Sequence, residues 1–592
     1  MERYNIFWFI IDCVRSYRTN MDDRDRLDVM DRFSEDAIEF TNAFTSAPSS
    51  LLAGGALFTG LPSVYIARHF NDWKFAGNDI YSLANLVERY GYDSYPIINS
   101  REEREKFQFL LPPFKSRYLP KGVRLSDYAW RNCEITGIFE HIMKNRRSKR
   151  PICCTFWYDC RRDKNISAYV QRALEVIKEH GYYDDSIIIM NSDHGYPDPA
   201  TNLNESFFKG LGHDMILTDD NIRTPLFIRY PGCPKGARIN DVVGHIDILP
   251  TIFHILDFPD RKSDIKFQGR SMLPIIKREE TGDLRIVRSD TRLTMDVSRI
   301  TSLREGTYKY VYFYDEDEEA LYNVRDDPKE ETNLIKEKDG RYLTELDGFR
   351  HLLKDYEKEL YRFHQDQLMK NSNRSFESLK KRCLGNGVRI MVASKAPEEL
   401  LRILTEIIRG MFNGCELDLI HAGNEDLSRI GVNRVYNVKD ISIESITGLN
   451  LEVYDIAIYL TENSHRIFLR DGIIKGVKSI PARQYRLLNY NFELFNYFAS
   501  KWFPQYARLF FNWGVKGFFY KQEPLYFFKD IIWFFKTVVS QTFRKNRNLD
   551  RVAAKEIMEF RDYHLKGASS GLIKMASSEM EAEFERIDIR GD

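Results

Sequence analysis

The chain opens on an unbroken apolar run, Ile6-Phe7-Trp8-Phe9-Ile10-Ile11, closed by Asp12. Six consecutive apolar positions bounded by polar ones predict a strand buried on both faces, and the run is too short to span a membrane. Similar runs predict strands over 152–156, 186–190 and 226–229. Between them, residues 82–90 and 166–180 read as amphipathic helices. Strands alternating with helices to about residue 340 predict a mostly parallel sheet covered on both faces, an α/β fold.

The pattern then changes twice. A charged helical stretch over 343–367 runs into Asn371-Ser372-Asn373-Arg374-Ser375, where a first domain, 1–370, is expected to end. A second strand–helix rhythm follows, with strands over 388–393, 416–421 and 453–460 and a helix over 398–411. It predicts a small Rossmann-like α/β domain over 383–495. No G-x-G-x-x-G is present, so dinucleotide binding is not implied. Residues 496–592 form an aromatic and basic tail, predicted to be helical. Its 499–548 stretch carries nine Lys or Arg against two acidic residues, interleaved with Trp502-Phe503 and Ile531-Ile532-Trp533-Phe534-Phe535. That mixture suits a helix lying in a membrane interface. Lys529 and Lys536 interrupt the best apolar run, so a spanning helix is not expected. A helical cap packed on the second domain is the alternative, and the pattern leaves both open.

Composition narrows the function classes. A length of 592 residues suggests two to four domains at about 100–200 residues each. With 43% hydrophobic and 29% charged residues, wholesale disorder is excluded. Zero formal net charge removes any global pull toward nucleic acid, so no nucleic-acid partner is expected. Eight scattered cysteines show no paired metal-ligand spacing and read mostly as buried thiols of a reducing compartment. With the first apolar run read as a strand rather than a leader, the expected location is cytoplasmic, peripheral at the inner membrane face.

Two strand ends carry candidate chemistry. Asp12 closes the first predicted strand, and Asp193-His194-Gly195 follows the strand over 186–190. Ligands bind beyond the carboxyl ends of parallel strands, where the loops diverge. Carboxylate oxygen with imidazole nitrogen suits a divalent ion, and the glycine permits a sharp turn. Each residue also has a bland use, as a helix N-cap or a structural loop aspartate.

Ordered motifs carry a resemblance beyond this. Ile11-Asp12-Cys13-Val14-Arg15 resembles the opening strand of sulfatases, in the alkaline-phosphatase superfamily, and residues 40–44 through 57–62 resemble the nucleophile segment. Ser192-Asp193-His194-Gly195 is similar to the second metal strand. His213 with Asn221-Ile222-Arg223-Thr224-Pro225, residues 245–251, residues 268–274, and Leu321-Tyr322-Asn323 through Asn333-Leu334 are similar to further blocks in the family's order. The resemblance spans about 335 residues.

It implies a sulfatase-like hydrolase or transferase acting on a sulfate or phosphate ester, such as that of a glycan or lipid-linked sugar. One divalent ion (Ca, Mg, Mn or Zn) would be held by Asp12, Ser50, Asp193 and His194. Ser50 would be the nucleophile, His213 would assist the leaving group, and Asn99 and Arg101 would bind the anionic ester. Several positions depart from the family. Ser46-Ala47-Pro48-Ser49-Ser50 lacks the arginine of the formylglycine motif, and Leu51-Leu52-Ala53-Gly54 lacks both its Pro and Arg, so formylglycine is not expected. Cys13 replaces a second aspartate. Asn99-Ser100-Arg101 stands where the family carries Lys-x-His, and Tyr158-Asp159-Cys160-Arg161-Arg162 lacks a histidine. The alternative reading is a catalytically degenerate member that binds an anionic glycan or lipid head group.

Overall fold

The computed structural model describes residues 3–495 apart from 17–26, 67–81, 161–164, 198–215, 259–266, 280–284, 292–298, 381–386, 463–470 and a few single positions. The tail from 496, including the 499–548 stretch read as a membrane-interface helix, lies outside the described residues, as do Arg161, Arg162 and His213. No helix among the described residues is long and apolar enough to cross a membrane.

The chain divides into two compact units, parting between Tyr356 and Glu357. In the first, seven strands form one sheet: β1 (Asn5–Asp12), β2 (Ile38–Phe44), β3 (Asp93–Ile98), β4 (Ile152–Asp159), β5 (Ser186–Asn191), β6 (Arg223–Arg229) and β7 (Arg238–Gly244). Their order is β3-β4-β1-β5-β6-β2-β7, and only β6 runs against the rest. The unbroken apolar character of β1 follows from its central place. Ile6, Trp8 and Ile10 enter one core, with Leu57 and Phe58 of the helix Ser50–Thr59. Phe7, Phe9 and Ile11 enter the opposite core, with the helices Asn132–Asn145 and Ile166–Glu179. Both faces are therefore dry, and each large side chain contributes about 1.5–3 kcal/mol by burial. This is the expected α/β fold, a mostly parallel sheet flanked by helices.

A second sheet of this unit was not expected. Strands β8 (Ile286–Asp290), β9 (Ile300–Glu305), β10 (Tyr308–Phe313) and β11 (Glu318–Asn323) form an antiparallel meander in the order β11-β10-β9-β8. Its signal is local: alternating Tyr308-Lys309-Tyr310-Val311-Tyr312-Phe313 after Gly306, which turns at φ +52°. Leu303, Tyr310 and Leu321 pack against Leu346, Phe349 and Leu353 of the helix Leu343–Phe363.

The polar run 371–375 does not end the helical stretch. It lies inside the helix Gln365–Lys380, whose Leu368, Phe376 and Leu379 enter the core of the second unit. Apolar residues at helical spacing on either side of the run hold it in register, and its polar members take the other face. The second unit is a six-stranded sheet of β12 (Arg389–Ser394), β13 (Glu416–His421), β14 (Arg434–Asn437), β15 (Tyr454–Thr461), β16 (Ala482–Asn489) and β17 (Leu494–Phe495). The order β14-β13-β12-β15-β16-β17, parallel except at β17, is the doubly wound arrangement expected for the small domain.

Candidate metal and nucleophile site

The site forms at the carboxyl edge of the first sheet, where β1 and β5 end side by side. Asp12 is the last residue of β1, and Asn191 the last of β5. Beyond them the two loops are tied together. The Val14 N–H donates to Ser192 Oγ (2.9 Å), and Ser192 Oγ lies 2.6 Å from the Ile11 and His194 carbonyls. Cys13 takes a left-handed backbone, φ +63°, and its N–H donates to Asp193 Oδ1 (3.2 Å). A non-glycine residue there costs of order 1–3 kcal/mol and persists only where its surroundings enforce it.

His194 is the hub. Its Nδ1 lies 2.7 Å from the Gly195 carbonyl, an acceptor, so the proton sits on Nδ1 and Nε2 offers a lone pair. Around Nε2 stand Ser50 Oγ at 3.2 Å, Asp193 Oδ2 at 3.4 Å, Asp12 Oδ1 at 3.7 Å and Cys13 Sγ at 4.0 Å. Asp193 and His194 are fully buried. Asp193 Oδ2 is buried with no hydrogen-bond partner among the described residues. A buried carboxylate oxygen in that state is costly unless a cation meets it. The donor set therefore fits a divalent ion.

Gly195 is required by close approach rather than by its φ. A Cβ would collide with the Asp220 carbonyl oxygen, and the Gly195 N–H donates to the Asn221 carbonyl (2.7 Å). The short helix Asp219–Ile222, which carries Asp220, is in turn anchored from the meander. Fully buried Lys309 reaches Asp219 Oδ1 (3.1 Å) and both Glu330 carboxylate oxygens (2.8 Å each). Burial alone would raise Asp219. The charges of Lys309 and Arg304 outweigh it and hold this carboxyl below its usual range, while burial pushes Glu330 up. None of these charged residues stands out in the sequence, since they pair only across the tertiary fold.

Ser50, not Ser46, faces the cluster. Ser50 is the first residue of its helix, with Ser49 at the N-cap position, so Ser50 does not serve as the cap. Four residues earlier, the Ser46 carbonyl accepts the Asp290 N–H (2.9 Å) and Ser63 Oγ–H (3.1 Å), which tie that turn to β8. Behind it, Asp290 takes two hydrogen bonds from Arg288, at 2.8 and 3.0 Å.

The expected ester-binding pair is not brought to the cluster. The Asn99 amide donates to the Trp130 carbonyl (2.8 Å), bracing the chain beside β3. Arg101 is exposed on the helix Arg101–Lys106 and pairs with Glu105 at 2.7 Å, one turn on. No hydrogen bond or ion pair among the described residues joins either to Asp12, Ser50, Asp193 or His194. Cys13, by contrast, was read only as a departure, and the structure places its thiol among the donors. Its position directly after Asp12 was the available signal.

The chain is similar in part to several known proteins. A solved phosphonate monoester hydrolase of Agrobacterium radiobacter superposes with a TM-score of 0.47 at 16% identity, over 60% of this chain and 96% of that one. Lipoteichoic acid synthase 2 of Bacillus subtilis is 38% identical over 114 residues, 19% of this chain and 17% of the relative. A choline-sulfatase of Rhizobium meliloti is 26% identical over 195 residues, 33% of this chain and 34% of the relative. The matched segments thus span about a third or less of those two curated relatives. Residues 210–356 match the family model described as N-sulphoglucosamine sulphohydrolase, C-terminal. Through segments of its first unit, the chain is thus similar to members of the sulfatase family.

Proposed function

We propose that the chain is a metal-dependent ester hydrolase or transferase in which Ser50 Oγ is the nucleophile and a phosphate or sulfate ester is the substrate. The observation that carries this is the convergence on His194 Nε2 of a hydroxyl, two carboxylates and a thiol, all within 4.0 Å. A bound divalent ion supplies charge neutralisation of the ester and easier ionisation of a hydroxyl beside it. Asp12, Asp193 and His194 would hold it. Ser50 Oγ would bond to phosphorus or sulfur as the bond to the alcohol oxygen breaks, and the departing oxygen takes a proton, a role we assign to His213. Water would then cleave the Ser50 ester in a hydrolase, or a second alcohol would accept the group in a transferase. Phosphate is favoured over sulfate, because Ser50 lacks the following Pro and Arg that formylglycine formation requires in this family. A glycan or a lipid-linked sugar is the proposed alcohol.

The full chain, stripped of metal and resupplied with Zn, Mn, Mg or Ca, tests this on aryl phosphate, phosphodiester and aryl sulfate substrates. We expect turnover in one class, with Ser50→Ala lowering kcat by about 10³-fold or more and leaving the thermal unfolding midpoint near that of the parent. No turnover in any class, with metal bound, would overturn it. That result would favour a degenerate member binding an anionic head group, a reading supported by the occupation of Asn99 and Arg101 elsewhere.

A further inference from the structure

We infer that Cys13 is a ligand of the metal at this site, so that the centre takes a borderline-soft ion of the zinc class in preference to calcium or magnesium. The inference rests on the divalent-ion reading above and specifies which ion that site is built for. Three observations carry it.

The first is proximity. One ligand atom each from Asp12, Cys13 and His194 lies within 4.8 Å of the other two, and all three residues are buried. In a tetrahedral zinc centre, neighbouring N and O ligands stand about 3.3 Å apart and an S–N pair about 3.6 Å, from bond lengths of about 2.0–2.1 and 2.3 Å. The 3.7 Å from His194 Nε2 to Asp12 Oδ1 needs only a few tenths of an ångström of contraction, whereas the Cys13 thiol, 4.0 Å from Nε2 and 3.8 Å from Nδ1, lies beside the ring and would reach the ion by rotation about its Cα–Cβ bond. The second is backbone geometry. The left-handed turn at Cys13 directs its N–H to Asp193 Oδ1, which holds Cys13 against the same carboxylate that faces Nε2. The third is Asp193 Oδ2, fully buried, aimed at His194 Nε2 and without a hydrogen-bond partner among the described residues, which points independently to a cation there.

The donor chemistry then selects the ion. Calcium and magnesium are held by all-oxygen shells. A thiolate with imidazole and carboxylate suits zinc: Asp12, Cys13, Asp193 and His194 would supply four protein ligands, and catalytic zinc can expand to five. Ser50 Oγ, 3.2 Å from Nε2, would be the further donor.

The test uses the full chain, stripped with a chelator and titrated separately with Zn²⁺, Mn²⁺, Ca²⁺ and Co²⁺. We expect the Co²⁺ form to show thiolate-to-cobalt charge-transfer absorption in the near ultraviolet, absent in Cys13→Ser and in His194→Ala. We also expect Cys13→Asp to lower the ratio of Zn²⁺ to Mn²⁺ affinity by at least about tenfold. Stoichiometric Co²⁺ binding without that absorption, and an unchanged ratio in Cys13→Asp, would overturn the role of Cys13 and leave the divalent-ion reading standing. Failure of the parent to bind any of the four ions would overturn both. Should the variants not fold, zinc-edge X-ray absorption of the parent decides. A sulfur shell at about 2.3 Å supports the inference and a purely N/O shell at about 2.0–2.1 Å refutes it.

Discussion

Two buried histidines stand at equivalent places in the two units, each at or just beyond the carboxyl end of a strand beside the central strand of a parallel sheet. His194 follows β5, the neighbour of β1, and His421 closes β13, the neighbour of β12. Around His194 every side is engaged: a carbonyl on Nδ1, and a hydroxyl, a thiol and two carboxylates about Nε2. Neither ring nitrogen of His421 makes a hydrogen bond among the described residues. Burial pushes its pKa down, opposed by the nearby Glu425 and by a backbone contact with Ser394. Gly423 leaves room for the imidazole, and the Glu425 carboxylate takes the first N–H of the helix Glu398–Met411 (2.6 Å). The same architecture thus brings a buried histidine to a strand end twice. A chemical site follows only where neighbouring loops deliver complementary donors to one point.

Three substitutions break or sharpen this contrast. The largest effect on stability is expected from Lys309→Ala, which leaves Asp219 and Glu330 buried without their shared cation beneath the loop that Gly195 packs against. Removing one partner of such a cluster costs about 3–5 kcal/mol. Denaturant unfolding should show it in the first unit, accompanied by weaker metal binding. A loss under about 1 kcal/mol would mean that the meander does not support the His194 edge.

An intermediate to small effect, of opposite sign, is expected from His421→Leu. Replacing a buried polar group that has no close hydrogen-bond partner among the described residues by an apolar one of similar size should leave the second unit unchanged or more stable by up to about 1 kcal/mol. Calorimetry of the full chain would read this. A clear loss of stability would show that His421 is engaged as His194 is. The smallest effect is expected from Arg101→Ala. It removes an exposed pair one helical turn apart, worth about 0.3–0.5 kcal/mol, and should leave KM unaltered. A several-fold rise in KM would return Arg101 to the ester-binding role that its position in the sequence first suggested.

Much of this was legible in the chain itself, and the reasons are local. β1 reads as a two-sided strand because six adjacent residues are apolar, and the helix Glu398–Met411 and strand Glu416–His421 show by periodicity alone. Asp12 and Asp193-His194 declare themselves as strand-end residues. The antiparallel meander does not show by pattern because its strands mix charged with apolar residues, as at Arg304 and Lys309, and lie in a region that otherwise alternates with helices. The polar run 371–375 misled because composition marks a loop, whereas apolar neighbours on one helical face keep it folded.

What the sequence by itself determined is the order of elements, the buried strands and the strand ends where ligands belong, since period and polarity depend only on near neighbours. Only the tertiary structure decided which side chains meet. It chose Ser50 over Ser46 by tying the Ser46 carbonyl to β8, engaged Asn99 with Trp130, left Arg101 on the surface, and turned Cys13 toward His194. Those outcomes depend on register between segments some 30 to 240 residues apart and on single backbone turns, neither of which local pattern encodes. The Asp12–His194 edge is therefore readable as a place from the chain, and readable as a donor set only once the strands are paired.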